Sequence, residues 1–336
     1  MVGAAVAMSS CNNFDYGDCS TIANWVSAKV EADYNLKWEI PVTPRTDWSH
    51  AWPDSFGMTY RDFMHPMPEG LRMTVFNTDH STFIVNMDPE GGLIQIREGV
   101  HDVLFYNNNT RYIVFRGLNH FLTATATTRN VMRATYTGCY AVGTDSDPQP
   151  TVTAPDMLFL DSYLGLNAKL TPGSQLVIDA QMEPAVYTYY IRFNIIKGLE
   201  HVALARGALT GMASEVLLSE HRTLSAKATI LYDCTVDSSG VWASVNSFGV
   251  ADYTFSDEHP EAVGRYGVTL ELLLDNGKIV QRHFDVSPQV RVQPMGGVIM
   301  VGDIEVTDAE SAPGTGGGFD VSVEDWGEAN DIIIDL

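Results

Sequence analysis

Asp47, His50, Asp62 and His65 cluster in this 336-residue chain and are of the types that can ligate a metal ion. Carboxylates and imidazoles suit a divalent ion, but these four lie on a segment whose path the sequence leaves open. No metal is expected there. Gly143-Thr144-Asp145-Ser146-Asp147 resembles part of a calcium loop without the glycine and distal glutamate that would complete it. The cysteines, Cys11, Cys19, Cys139 and Cys234, include no C-x-x-C pair, so zinc and thioredoxin-type chemistry lack support. G-x-S-x-G and H-E-x-x-H are absent, and Gly316-Gly317-Gly318 has no following Lys-Ser/Thr, which leaves no nucleophile elbow, zincin helix or phosphate loop. The chain therefore reads as a non-enzyme without a cofactor. Trp48, Trp52 and Tyr60, with Phe56 and Phe63 between and beside them, have two readings. On an exposed loop such rings stack against sugars or anchor a protein interface; folded over the end of a β-sandwich they bury one another as a small core.

The first residues suggest a covalent modification. Met1–Met8 is small and apolar, and Ser9-Ser10-Cys11 follows, like the tail of a bacterial lipoprotein signal with Cys11 as the lipid acceptor. The stretch departs from that pattern in two ways: no Lys or Arg precedes it, and Met8 stands where Leu is usual. Residues 1–11 are thus expected to be a signal remnant and 12–24 a polar tether. If Cys11 carries lipid, at most one intramolecular disulfide can form among the other three, and Cys19 with Cys139 is the first pairing to test.

Composition narrows the partners. Hydrophobic residues make up 45% and charged residues 18%, enough apolar material for a core. Asp and Glu number 42 against 20 Lys and Arg, a net of −22, and such a field repels phosphate backbones, so nucleic acid is excluded. No apolar run approaches the roughly 20 residues of a spanning helix.

The elements that must position these residues are strands. From Trp25 to Glu39, Val26, Ala28, Val30, Ala32, Tyr34, Leu36 and Trp38 alternate with polar residues, predicting one long half-buried strand of an antiparallel sheet. Prolines at 41, 44, 53, 66 and 68 exclude a central strand there and predict an elaborated loop with a short helix near Asp54–Met64. Strands are then expected at Leu71–Asn77, Thr82–Met87, Leu93–Arg97, Val100–Asn107, Arg111–Phe115 and Phe121–Thr127. Gly143–Pro155 suits an interdomain linker or a loop just before one. Beyond it strands are expected at Leu176–Ala180, Val186–Ile196 and Leu224–Asp233. Val268–Leu274 and Ile279–Val286 form a hairpin whose Asn276-Gly277 turn is expected to be type I′. Short strands with no helical period between them indicate sandwiches, divided here as 25–165 and 166–336. Near the end, Phe319, Val321 and Val323 alternate with polar residues, and Ile332, Ile333 and Ile334 form a run that needs a partner strand, its own or a neighbour's.

Several segments together resemble Bacteroidales fimbrillin-like lipoproteins, most of all a subfamily carried as a domain of unknown function. They are Cys11 and Cys19 ahead of a long strand, Gly99–Phe115, and Val186–Leu218, with Gly207-Ala208-Leu209-Thr210-Gly211-Met212-Ala213 the most specific run. The resemblance implies an all-β fold of two tandem transthyretin-like antiparallel β-sandwich domains. It also implies a surface lipoprotein tied to outer-membrane lipid through Cys11 and assembling with other fimbrial subunits by strand addition. Arg45 then falls where a processing cut would free the first strand, and Phe319, Val321, Val323 and Ile332–Ile334 are the candidate assembly strand. A host or bacterial surface ligand stays open as a further partner. The alternative is a monomeric glycan-binding surface lipoprotein using Trp48, Trp52 and Tyr60.

Overall fold

Trp25–Tyr34 (β1) does what its period of two demands: Val26, Ala28 and Val30 are buried, and Ser27, Lys29 and Glu31 face out. The strand stops there, short of the expected Glu39. Leu36 still packs against the first core, but Trp38 belongs to a different one, so the alternation runs on across a change of partner.

A computed structural model describes residues 24–41, 46–133, 149–171, 173–238, 240–254 and 262–312 and the backbone of Ile332–Ile334. After β1 come β2 (Leu71–Asn77), β3 (Thr82–Met87), β4 (Gly91–Arg97) and β5 (Gly99–Asn107). The short strands β6 (Ile113–Arg116), β7 (Thr125–Thr128), β8 (Asn130–Met132) and β9 (Thr151–Thr153) precede β10 (Phe159–Ala168) and β11 (Leu176–Pro184). The second half contains β12 (Tyr187–Lys197), β13 (Val202–Ala213), β14 (Glu215–Leu217), β15 (Arg222–Thr223), β16 (Lys227–Asp237) and β17 (Gly240–Ser247). Last are β18 (Gly267–Leu274), β19 (Ile279–Asp285), β20 (Gly297–Glu305) and β21 (Ile332–Ile334). The helices α1 (Trp48–Ala51), α2 (Ser287–Arg291) and α3 (Asp308–Ser311) are each about one turn long.

These strands build two sandwiches with one topology. In the first, β3-β2-β5-β10 faces β4-β1-β11; in the second, β16-β13-β18-β19 faces β17-β12-β20. Reading β1, β2, β3, β4, β5, β10 and β11 against β12, β13, β16, β17, β18, β19 and β20, the neighbours within each layer are the same, but the layers join differently, through β10 and β11 in the first unit and through β16 and β17 in the second. In each unit the first and last strands lie side by side and run parallel, β1 with β11 and β12 with β20. That corrects the purely antiparallel expectation: the chain visits the opposite sheet before its last strand returns beside the first. The expected division after residue 165 falls inside β10. Beyond it, β11 adds Ile178, Ala180 and Met182 to the same core as Val26, Val30, Val103 and Phe105.

Insertions at two places tie the units together. β6 and β7 come from between β5 and β10, β14 and β15 from between β13 and β16, and they form a four-stranded sheet, β15-β14-β7-β6. Beneath it Tyr106, Leu160, Val216 and Phe248 share a core with residues of both sandwiches. Within the expected linker, Thr151–Thr153 is the strand β9, parallel to β16. β8 pairs with β9, and β21 runs antiparallel to β8 with Ile333 opposite Val131.

Two local features explain sequence signals. The family-like run Gly207–Ala213 lies in β13. A Cβ on Gly207 would lie 2.3 Å from the Tyr232 ring, and Gly211, at φ +93°, sits where the β13–β16 register shifts. The hairpin at Asn276-Gly277 is present, but only Gly277 has positive φ, +79°. The bonds Gly277 N to Leu274 O and Leu274 N to Lys278 O, at 2.8 and 2.9 Å, make it a three-residue loop with a G1 bulge rather than a type I′ turn. The Asn276 amide is thereby free to reach outwards, donating to Glu310 O and Ala312 O.

Candidate functional site

Trp52, Phe56, Tyr60 and Phe63 recur at helical intervals of four, four and three, which places them on one side of a coiled segment. Two 3-10 turns, Asp54–Phe56 and Tyr60–Phe63, realise that spacing, broken at Gly57 with φ +72°. Asp47 caps α1 through Ser49 N, and Thr59 with Asp62 forms a capping box. The caps hold the loop in shape, and its aromatic side lands on the outer face of β17-β12-β20. Trp38, Phe56, Tyr190 and Val298 are buried there, with Trp48, Trp52, Tyr60, Phe63 and Trp242 packed around them. Trp52 is the hub, its ring centroid 5.1 to 6.1 Å from those of Trp38, Phe56, Tyr60, Phe63 and Tyr190.

The indole N–H groups turn inwards. Trp52 Nε1 donates to Met58 O at 2.7 Å, and Trp48 Nε1 donates to Gln293 Oε1 at 2.7 Å. The three rings proposed from sequence as a contact surface are thus gathered into a core that joins the segment after β1 to the second sandwich. Backbone bonds strengthen the join: Thr188 N donates to Trp38 O at 2.8 Å, and Ile40 N to Met295 O at 2.9 Å.

Under the loop lies Glu39, 2% exposed, with Oε1 unpartnered. Burial pushes its carboxyl up to about 8, with the Asp47 charge adding to the rise and the Tyr60 hydroxyl opposing it by donating a hydrogen bond. The carboxyl is accordingly protonated at neutral pH. Burial also drives His65 down to about 4, leaving that imidazole neutral. Beside the loop opens a cleft of about 1220 Å³ lined by Lys37, Asp47, His50, Trp52, Tyr60 and Arg61, among others. Its polar rim and partly covered rings could accept a small polar ligand.

The other candidates lie apart. Asp47 accepts from His50 at 2.8 Å on the surface, Asp62 is used in its cap, and His65 packs near Phe159. Among the described residues no group of three His, Cys, Asp or Glu could hold a metal ion, and no helix is long and apolar enough to cross a membrane. Cys234 is a free thiol that burial pushes up in pKa. Cys11, Cys19, Arg45, Cys139, the stretch 143–147, Phe319, Val321 and Val323 fall outside the described residues. Sequence reasoning missed Glu39, Tyr190 and Gln293, which carry no motif. The four, four, three spacing of aromatics was the available signal for the docked loop.

A family model described as "Domain of unknown function (DUF5119)" matches residues 58–233, just over half of the sequence. The chain belongs to the DUF5119 family. The match takes in the second 3-10 turn of the docked loop, Tyr60–Phe63, and runs through Gly207–Ala213, the run on which the sequence resemblance chiefly rested. This DUF5119 chain is also 25% identical over 184 residues to a Bacteroides ovatus protein named "Putative fimbrium anchoring subunit Fim4B". That alignment covers 54% of this chain, and the chain spans about half, 52%, of the relative's length. A solved structure titled a "putative adhesin" from Bacteroides ovatus superposes with a TM-score of 0.56 at 20% identity, over 90% of this chain and 98% of the other. The DUF5119 chain shares its all-β fold. The fimbrial anchor protein Mfa2 from Porphyromonas gingivalis aligns over 82% of this chain and 90% of its own, with a TM-score of 0.41 and 10% identity.

Proposed function

We propose that this chain is a non-enzymatic subunit of a cell-surface fimbrium, in an anchoring or accessory position, where it contributes to adhesion. The similarity to a relative named as a fimbrium anchoring subunit supports the setting. The observation that carries the assembly mode is the position of β1. It sits between an antiparallel neighbour, β4, and a parallel one, β11, with Val26, Ala28 and Val30 in the core. Withdrawing such a strand would leave two walls of unpaired backbone groups and a row of apolar pockets lined by Ile94, Ile96, Ile178 and Ala180. An incoming strand with alternating apolar side chains is the ligand such a groove fits. In this reading Arg45 is the processing point that would free β1. Lipid on Cys11 ties the subunit to the outer membrane, durably if two or more chains are attached.

Deleting the gene in its native host and restoring it on a plasmid tests the proposal. Detached or missing surface filaments and weaker adhesion, both restored by the wild-type gene, are the expected result. Unchanged filaments and adhesion reject the fimbrial role. Labelling with a fatty-acid analogue tests the anchor separately, since equal incorporation by wild type and Cys11→Ala rejects lipid at that residue. The glycan-binding alternative has its own signature: sugar raises the melting temperature of a monomer, and filaments are unaffected.

A further inference from the structure

Every other residue of an edge strand points its N–H and C=O away from the sheet, a standing invitation to another chain. β20 is the edge of its sheet, and the first groups so directed, ahead of the register shift that follows Val301, belong to Val298 and Met300. Both residues are fully satisfied by side chains. Gln293 Oε1 accepts from Val298 N at 2.8 Å while its Nε2 donates to Val298 O at 3.0 Å. Gln289 Oε1 accepts from Met300 N at 2.8 Å while its Nε2 donates to Met300 O at 2.9 Å.

A glutamine amide carries the same donor and acceptor as a peptide group. Residues two apart on a strand are about 6.6 Å apart, and residues four apart along a helical turn about 6 Å. α2 and the turn that follows it therefore present two amides at close to the repeat of a strand. Further contacts hold them in place. Gln293 Nε2 also donates to Gln289 O at 3.2 Å, and the Trp48 indole donates to Gln293 Oε1. Gly297 makes room, since a Cβ there would lie 2.1 Å from Gln293 Oε1.

In the first sandwich β11 lies beside β1 as β20 lies beside β12, but it is not an edge, because β10 pairs with it at Glu183 and Pro184. Ahead of that pairing, side chains of β10 meet its backbone. There Asp161 Oδ2 accepts from Gln181 N at 2.8 Å, and the Tyr163 hydroxyl donates to Asp179 O.

We propose that Gln289 and Gln293 stand in for a missing strand, keeping β20 closed to backbone pairing, and that the occupant they exclude is the β20 edge of a second copy of this chain. Two identical edges are self-complementary about a two-fold axis. Antiparallel pairing centred on Met300 would set Val298 of each copy against Gly302 of the other. Met300 is 41% exposed, and a Cβ at Gly302 would meet nothing within 4 Å. The same register keeps Asp303 and Glu305 of one copy away from those of the other, which a chain of net charge −22 requires. This inference concerns the second sandwich and stands whether or not β1 exchanges in a fimbrium.

The test uses the full chain with Gln289→Met and Gln293→Met, which keep side-chain length and remove the amides. Residue-resolved hydrogen exchange on dilute protein should show Val298 and Met300 protected in the wild type and exchanging roughly a hundredfold faster in the double variant. Ile299 and Val301, which face β12, should stay protected in both. As the variant is concentrated, sedimentation should show a dimer, with protection of Val298 and Met300 returning in step. The single variant Gln289→Met leaves the Trp48 bond intact and should free Met300 alone. Unchanged exchange at the two amides overturns the surrogate role. An opened edge that leaves the variant as monomeric as the wild type, or a dimer that does not reprotect those amides, overturns the proposed occupant.

Discussion

Glu39→Gln should shift stability in the variant's favour as pH rises, making it the more stable protein above about pH 5. The wild-type carboxyl ionises at about 8 in the folded chain against an ordinary 4.5. Between those values the unfolded chain has lost the proton and the folded chain keeps it, so stability falls as pH rises through the window. It is fullest below 4.5 and levels off above 8. Each unit of separation corresponds to 1.36 kcal/mol, so the shift amounts to about 5 kcal/mol at most, and about 3 kcal/mol of it has been lost by pH 7. Glutamine resembles the protonated acid in shape and does not titrate. Its extra N–H needs a partner in a site where Glu39 Oε1 already lacks one, so at pH 4 the variant should be about 1 kcal/mol less stable. The decisive quantity is the slope. Denaturant unfolding of both proteins between pH 4 and 9 should give a stability difference that moves towards the variant by about 1.4 kcal/mol per pH unit between 4.5 and 8, then flattens. His65, held neutral by burial down to about 4, costs stability as pH falls below its ordinary 6.5, but it is present in both proteins and cancels. A difference that stays flat across the window would refute the reasoning, because it would mean that Glu39 is ionised and hydrated beneath the loop.

Three further experiments test packing. Val30→Asp places a charge in the first core and should cost several kcal/mol, whereas Lys29→Asp on the wet face should change stability by roughly half a kcal/mol or less; comparable losses in denaturant unfolding would show the β1 register to be wrong. Trp52→Ala removes the hub of the docked loop and should cost about 3 kcal/mol, with proteolysis concentrated between residues 41 and 65; an unchanged melting temperature would show that the loop contributes no core. Gly207→Ala drives a methyl into the Tyr232 ring and should cost about 1–3 kcal/mol, partly relieved in a Gly207→Ala/Tyr232→Leu double variant; a single substitution without effect would mean that the ring moves aside freely.

Much of this architecture is local and was legible from residue order. The alternation of Val26, Ala28 and Val30 identifies the buried face of β1, because side chains on a strand point to opposite sides whatever its neighbours are. Asn276-Gly277 marks a hairpin for the same local reason, although the turn type depended on which residue took the positive φ. Other features were set only by what the strands meet. β13 is buried along nearly its whole length, so it shows no alternation, and its Ala, Leu and Gly residues carry no strand signature. β20 is a parallel edge strand, a status fixed by pairing with β12 more than a hundred residues earlier. The two sandwiches share a topology without a visible repeat, since a period-two pattern says which face is buried and not which strand lies alongside. The clearest case is Trp38, which continues the alternation of β1 in sequence yet packs in another core: periodicity reports that a side chain leaves water, and only the tertiary structure decides where it goes.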